Sequence, residues 1–384
     1  MYQTLAARRL ITASEVIEYP RITLDKEGYI TSIEHDAAPR SEETTLTSTF
    51  FDIHTHGGAN HDVMDATPEA IAAVNRFHGT HGVSHYLPTT VTAPIEKTLA
   101  ALDGIACAIA VSPDPHRARP VGIHLEGPFI SHAKRGVHPP ANILPPDITL
   151  FDRFQQAARG NIRLITIAPE IPGAIELIRH CTAQGVRVSL GHSNALAAEA
   201  RAGIEAGARS ATHTYNAMRP LDHREPGILG VVLDLESLFA EIICDGIHVA
   251  PELIRLWLKA KGPERAILVT DGMSAAGMPD GDYMLGTFPV KVANGRALAA
   301  EDLARGKETL AGSVLTLDRA VENLQRFTGA SLEIAARLAS RNPATMLGLE
   351  ETVASIAPGQ PANFNVFDAA GTLKKTLLQG VVTS

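Results

Sequence analysis

The strongest constraint on this chain is a series of short apolar runs alternating with helical stretches through its middle. The runs are FFDIH, SHYLPT, PVGIHLEGP, IRLITIAPE, VRVSLGHS, ARSATHTYN, FAEIICDGIHV and AILVTDGMS. Segments between them, such as PGAIELIRHCTAQG and ALAAEARAGIEAG, carry apolar residues at three- and four-residue spacing and finish at glycine. These are βα units, and eight of them between residues 49 and 350 predict an α/β fold, a (β/α)8 TIM-like barrel. A doubly wound sheet is the competing arrangement. An open sheet concentrates ligand contacts near a switch point, whereas a barrel draws them from nearly every strand end. Here nearly every run ends in His, Glu or Asp, which selects the barrel.

The two ends of the chain read differently. Residues 1–48 hold short alternating runs such as YPRITLD and GYITSIEHD, and residues 351–384 hold similar runs broken by Pro-Gly, Asp and Gly. Both ends are expected to build one small β domain from short antiparallel strands, beside a catalytic barrel at 49–350. The formal net charge of -8 argues against non-specific nucleic-acid binding, which needs a basic surface, but leaves room for a small anionic substrate held locally. Cys107, Cys181 and Cys244 lie far apart in apolar contexts without CxxC spacing, and are expected to be buried reduced thiols. No stretch approaches the length of a membrane span, and the start MYQTLAARRLITASEV lacks a signal-like apolar core, so a cytoplasmic protein without membrane partners is expected.

Chemistry collects where the apolar runs end. In an extended strand His54 and His56 point to one side, so a single cation could accept both nitrogens, although an isolated His-x-His is as often a polar strand end. Glu126 follows an apolar strand and precedes Gly-Pro; a carboxylate there is costly to bury unless paired or metal-bound. His192 in SLGHSN and His213 in SATHTYN each follow a β-like run directly. One carboxylate with two histidines leaves positions for water and substrate, as in an open catalytic site. Asp271 in AILVTDG stands where a general base could take a proton from water; capping the next helix or turn is its ordinary alternative. His78, His81 and His85 are expected to be structural or surface groups, and His61 and Asp62 to belong to a turn.

The ordered motifs DIHTHGG, HLEGPFI, KRGVHPP, LGHSNA, THTYNAM, EPGILG, DGIHV, VTDGMSAAG, LAGSVLTLDRAV and NPATMLG resemble those of the N-acetylglucosamine-6-phosphate deacetylase family of the amidohydrolase superfamily. The resemblance runs from about Phe51 to the C-terminus. It implies a barrel of the metal-dependent hydrolase type with a small β-sandwich domain, and removal of acetate from a phosphorylated amino sugar. Glu126, His192 and His213 are then implied as principal metal ligands, with His54 and His56 holding a second ion or sharing the first. One or two divalent ions per subunit are implied, zinc first, with iron, manganese or cobalt accepted by the same donors. The resemblance gives Asp271 the acid/base role and places His138 near the acetyl carbonyl. It implies substrate contacts from Val137, Asn216, the Ala217 backbone, His248 and the turn at Leu310, Ala311 and Gly312.

In that family the arginine matching Arg224 reaches across from a neighbouring subunit, so a homodimer is implied. Without the resemblance, Arg224 beside Glu225 reads as a surface ion pair, and Ser313 as the cap of the helix VLTLDRAVENLQRF. Two departures stand out. The chain reads TSTFFDIH where many relatives have Pro-Gly, and Ser274 occupies a position where alanine is common. No lysine stands where some binuclear relatives carry a carbonylated one, so Glu126 would have to bridge any ion pair. The C4 epimer, N-acetylgalactosamine 6-phosphate, is the alternative substrate, and a catalytically silent barrel the alternative of another class.

Overall fold

The computed structural model describes residues 4–35, 44–111 and 114–383. Eight parallel strands form the barrel: Phe50–Thr55, Val83–Thr90, Ile123–Glu126, Ile162–Ile167, Arg187–Leu190, Ser210–Ala211, Phe239–Ile243 and Ala266–Val269. Each pairs with the next in chain order. The first and eighth meet through Asp271 N–H donating to His54 O at 2.9 Å and His56 N–H donating to Gly272 O at 2.7 Å. The barrel therefore closes at the same residues that carry the chemistry.

The strands are apolar on both faces because helices cover the outside and the barrel fills its own interior, so Ile162–Ile167 exposes only Arg163. Helix Ile148–Ala157 illustrates the returns: Asp147 caps it by accepting from Leu150 N–H at 3.0 Å, and Leu150, Phe151 and Phe154 turn one stripe to the barrel. Ser313 does not cap the helix that follows it, which spans Leu317–Thr328. Its hydroxyl donates to Thr270 O at 2.6 Å and accepts from Leu315 N–H, tying the preceding loop to the eighth strand.

Both ends of the chain meet in one six-stranded sheet, in the order Val381–Val382, Leu373–Leu378, Phe364–Phe367, Thr45–Ser48, Arg9–Ile11, Val16–Glu18. A three-stranded sheet of Thr4–Ala6, Pro20–Leu24 and Ile30–His35 packs on it around Leu10, Ile22, Ile30, Leu46 and Phe364, making a β-sandwich. The expected antiparallel pattern holds except between Arg9–Ile11 and Thr45–Ser48, which run parallel because the barrel-bound chain re-enters beside the first segment.

The segment after the eighth strand contains a small antiparallel sheet of Gly281–Leu285, Phe288–Ala293 and Arg296–Ala299 that the barrel pattern does not anticipate. Cys181 and Cys244 are buried, but Cys107 is exposed, because it lies outside the buried stripe of Ala101, Leu102, Ile105 and Ala106 on helix Ile95–Ala110. Among the described residues no helix is long and apolar enough to cross a membrane.

Candidate metal centre and active site

Strand alternation carries Asp52 and His54 to the inner side of the first strand, and His56 follows one residue past its end. Glu126 ends the third strand, and His192, His213 and Asp271 each stand two residues beyond the fifth, sixth and eighth. These last three have φ of 46°, 28° and 50°, in the left-handed region. Such backbone costs an L-residue about 1–3 kcal/mol and persists only where the surroundings enforce it. Here it turns three side chains from separate strands toward one point.

That point is Glu126. Its Oε1 lies 3.4 Å from His54 Nε2, 3.2 Å from His192 Nε2 and 3.1 Å from His213 Nε2, while Oε2 lies 3.4 Å from His56 Nε2. The His192 and His213 Nε2 atoms are 3.1 Å apart. Two groups of donors could each hold an ion, His54–His56–Glu126 and Glu126–His192–His213, with Glu126 common to both.

The far ring nitrogens show why a cation suits this arrangement. His54 Nδ1 faces Glu241 Oε2 at 3.1 Å, His56 Nδ1 faces Thr89 O at 2.9 Å and His192 Nδ1 faces Lys134 O at 2.9 Å. Each partner only accepts, so each Nδ1 carries a proton, and any of these rings in its neutral form would turn a bare Nε2 toward the Glu126 carboxylate. Lone pairs directed at lone pairs repel unless something positive lies between them.

In the polypeptide alone, protons fill that role. Burial opposes charge on His56, but bonds to Asp271 and Glu126 outweigh it and lift its pKa to about 9. His54 is likewise raised despite burial, by the charges of Glu126 and Asp271. Burial would raise Glu126 and Asp271, yet the imidazoles facing them hold both carboxyls well below their ordinary range. Asp271 Oδ1 is 3.0 Å from His56 Nε2 and 3.5 Å from His54 Nε2. It sits at the mouth of the group instead of capping a helix.

A further layer beneath the centre escapes sequence reasoning. Glu241, fully buried, accepts from His54 Nδ1 and, at 3.3 Å, from His213 N–H, so it touches both donor groups. Asp52, pushed up to about 6 by burial, accepts from the Thr270 hydroxyl at 2.5 Å. His124 hydrogen-bonds Thr166 at 2.8 Å, and its ring packs edge-on to His54. The available signal was an ionisable residue inside an apolar run, at an inward position, in FFDIH, GIHLE and FAEII.

Above the centre opens a cleft of about 210 Å³. His56, Glu126, His192, His213 and Asp271 form its floor, and Val137, His138, Asn216, Ala217, His248, Leu310 and Gly312 its walls. His54 lies below the floor. Ala311 is buried behind the wall, its N–H donating to Ala297 O. A larger cavity, about 550 Å³, lies beside His85, Arg119 and Arg163 near the other end of the barrel strands and has no convergent donor set among the described residues.

His138 is fixed as a donor. Thr92 N–H donates to His138 Nδ1 at 3.3 Å, with the Thr92 hydroxyl 2.8 Å away, so Nδ1 is an acceptor and Nε2 carries the proton. Nε2 lies 3.7 Å from Glu126 Oε2. Burial and the nearby His192 push its pKa down to about 3, so the ring stays neutral. Gly127 makes this approach possible: with φ +76°, its Cβ would fall 2.2 Å from Thr92 Oγ1.

His248 Nδ1 is held by Asp245 at 2.6 Å, directing its other nitrogen away from that carboxylate. Arg224 is exposed outside the cleft and makes no ion pair with Glu225, whose Oε1 instead accepts from Ala197 and Gly227 N–H. His78 and His85 are buried, each with its pKa lowered to about 3 chiefly by burial. His61 and Asp62 form one side of a two-residue hairpin with Gly57–Gly58.

The chain is similar to known proteins along its whole length. An N-acetylgalactosamine-6-phosphate deacetylase of Escherichia coli O157:H7 is 36% identical over 386 residues, covering 100% of both chains. An N-acetylglucosamine-6-phosphate deacetylase of Vibrio furnissii is 34% identical, covering 97% of this chain and 93% of that one. The crystal structure of N-acetyl-D-glucosamine-6-phosphate deacetylase from Mycobacterium smegmatis superposes with a TM-score of 0.91 at 32% identity, covering 100% of both chains. The model of the amidohydrolase family matches residues 45–383, and with a barrel, a shared carboxylate and convergent imidazoles of this kind the chain belongs to that family.

Proposed function

We propose that this chain hydrolyses the acetamide of N-acetyl-D-glucosamine 6-phosphate to D-glucosamine 6-phosphate and acetate, a step of amino-sugar catabolism and cell-wall sugar recycling. The observation that carries this reading is Glu126, one buried carboxylate facing four imidazole nitrogens under a cleft that also holds Asp271 and His138. A divalent cation held by Glu126, His192 and His213, with or without a second at His54 and His56, would polarise the amide carbonyl and lower the pKa of water. Zinc is the first candidate, then iron, manganese or cobalt.

The protein's own groups supply the rest. Asp271, ionised, accepts a proton as water attacks the carbonyl carbon, and returns it to the nitrogen as the C–N bond breaks. The Nε2–H of His138 donates to the oxygen on which negative charge develops. Asn216, the Ala217 N–H and His248 hold the phosphorylated sugar, while Val137 and the Leu310–Gly312 turn flank it. Arg224 binds the phosphate of a neighbouring subunit's substrate, as its planar fork suits phosphate oxygens and the Glu225 carboxylate is engaged by Ala197 and Gly227 N–H. The enzyme is then a cytoplasmic homodimer, with the catalytic unit at 49–350 and the small β unit at 1–48 and 351–384.

The test is acetate release by purified protein from N-acetylglucosamine 6-phosphate, its galactosamine epimer and the unphosphorylated sugar, with and without a chelator. Chelator-sensitive turnover that needs phosphate and the gluco configuration is expected. Preference for the epimer would transfer the assignment to that substrate, the one named for the Escherichia coli relative. Failure of metal-replete protein on all three would leave a silent barrel.

A further inference from the structure

We propose that Val91 and Leu285 set the length of the acyl chain that the site accepts, restricting it to acetyl. The inference rests on the reading above, in which an N-acyl amino sugar phosphate is the substrate. An acyl group with its carbonyl oxygen toward His138 has its alkyl end beside whatever adjoins His138. Thr92, which fixes His138, directly follows Val91, and Val91 is among the residues lining the cleft. Val91, Leu285 and Val137 line the cleft together and belong to one apolar cluster with Met273 and Ala311. An apolar wall thus stands next to the oxyanion donor, on a floor otherwise made of imidazoles and carboxylates.

This wall has little room to yield. Val91 is 3% and Leu285 2% exposed. Leu285 ends the strand Gly281–Leu285 and pairs with Phe288 across the hairpin. The backbone on both sides of it is tied to the barrel: Met284 O accepts from the Ser274 hydroxyl at 2.6 Å, and Gly286 N–H donates to Asp62 Oδ2 at 2.6 Å. Gly286 also lies so close to Val91 that a Cβ on it would fall 2.5 Å from Val91 Cγ2. The hairpin is therefore pressed against Val91, and each methylene added to the acyl chain must displace packed side chains. Ser274 acts here as an anchor of that wall.

The experiment compares kcat/KM of the metal-replete full-length protein on glucosamine 6-phosphate carrying N-acetyl, N-propionyl or N-butyryl groups. Wild type is expected to lose about tenfold or more per added methylene, the range a tight apolar pocket supplies. Val91→Ala and Leu285→Ala should each raise the propionyl-to-acetyl ratio at least fivefold, on the order of one methylene's discrimination. Leu285→Met, which conserves volume, should stay near wild type. The ratio is the readout because partial loss of folded protein scales both substrates alike. A wild type that accepts all three chains equally, or a ratio unmoved in both alanine variants while acetate is still released, overturns the inference and leaves the deacetylase reading intact. No release of any acyl group by wild type removes that reading and this one with it.

Discussion

The two imidazole pairs that flank Glu126 are built by different means. His54 and His56 come from one strand end, with both Nδ1 atoms anchored, to the Glu241 carboxylate and to Thr89 O, and both Nε2 atoms near Asp271. His192 and His213 come from separate strands, both with left-handed φ; His192 Nδ1 is held by Lys134 O, and His213 Nδ1 has no hydrogen-bond partner among the described residues. The first pair is set by charge, the second by backbone. A pair set by charge holds protons tightly and must release them to take a cation, whereas one set by strained backbone presents its nitrogens directly beneath the cleft.

The change expected to act most strongly removes what the pairs share. Glu126→Gln should cost bound metal at both and lower kcat/KM on the order of 10⁴-fold, the scale of losing several kcal/mol of charge stabilisation. Metal analysis that still finds wild-type content would show that Glu126 is not a common ligand. Asp271→Asn should lower kcat about 10³-fold, the range of a lost acid/base group, while metal remains at the His192–His213 pair. Loss of all metal in that variant would make Asp271 chiefly a ligand.

Glu241→Gln separates the pairs more finely, since the amide keeps the shape but removes the charge behind His54. Metal affinity should fall about 10–100-fold at the His54–His56 pair, as for other partners of metal-bound histidine, and less at the other. Equal loss at both, read by metal titration, would mean that the Glu241 contact to His213 N–H matters as much as that to His54. pH gives a parallel test. With the His56 pKa raised from 6.5 to about 9, metal uptake there must expel a proton, so affinity should weaken steadily as pH falls below about 9. In metal-free protein the sign reverses: charged His56 contributes stability fully present below about pH 6.5 and lost as pH rises through about 9. Thermal melts of chelated protein that rise from pH 7 to 10 would contradict it.

The same division explains what the sequence reveals. Period and strand ends are local signals, so the barrel, the sandwich at the chain ends and the positions of Glu126, His192, His213 and Asp271 can be read along the chain. Glu241 and Asp52 cannot, because a carboxylate inside FAEII or FFDIH looks like a strand irregularity until closure brings His54 and Thr270 beside it. The extra antiparallel sheet did leave a local trace. Asn294 and Gly295 both have positive φ, as a tight hairpin turn requires, and Asn-Gly flanked by alternating residues is its usual signature. The βα rhythm, which stops at the eighth strand, offers no place for it. Cys107 is exposed, against expectation, because an apolar neighbourhood in sequence does not say which side of a helix faces out.

The smallest predicted effect lies on the cleft side of the centre, where His138 packs edge-on to His192 with ring centroids 4.6 Å apart. Thr92→Val removes the hydroxyl beside His138 Nδ1 but leaves the backbone N–H that donates to the same atom. The proton therefore stays on Nε2, and what is lost is the second point of attachment that fixes the ring plane. A donor that must meet a developing oxyanion within a few tenths of an ångström suffers from added freedom, though far less than from removal. kcat should fall about tenfold, well short of the 10²–10³-fold cost of deleting an oxyanion donor, with KM and the metal content of both pairs unchanged. Thr92→Ser, which restores the hydroxyl, should recover most of that loss. A fall in metal content with Thr92→Val would instead place His138 among the groups that hold the ion, and the cleft side of the centre would then be set by more than strained backbone.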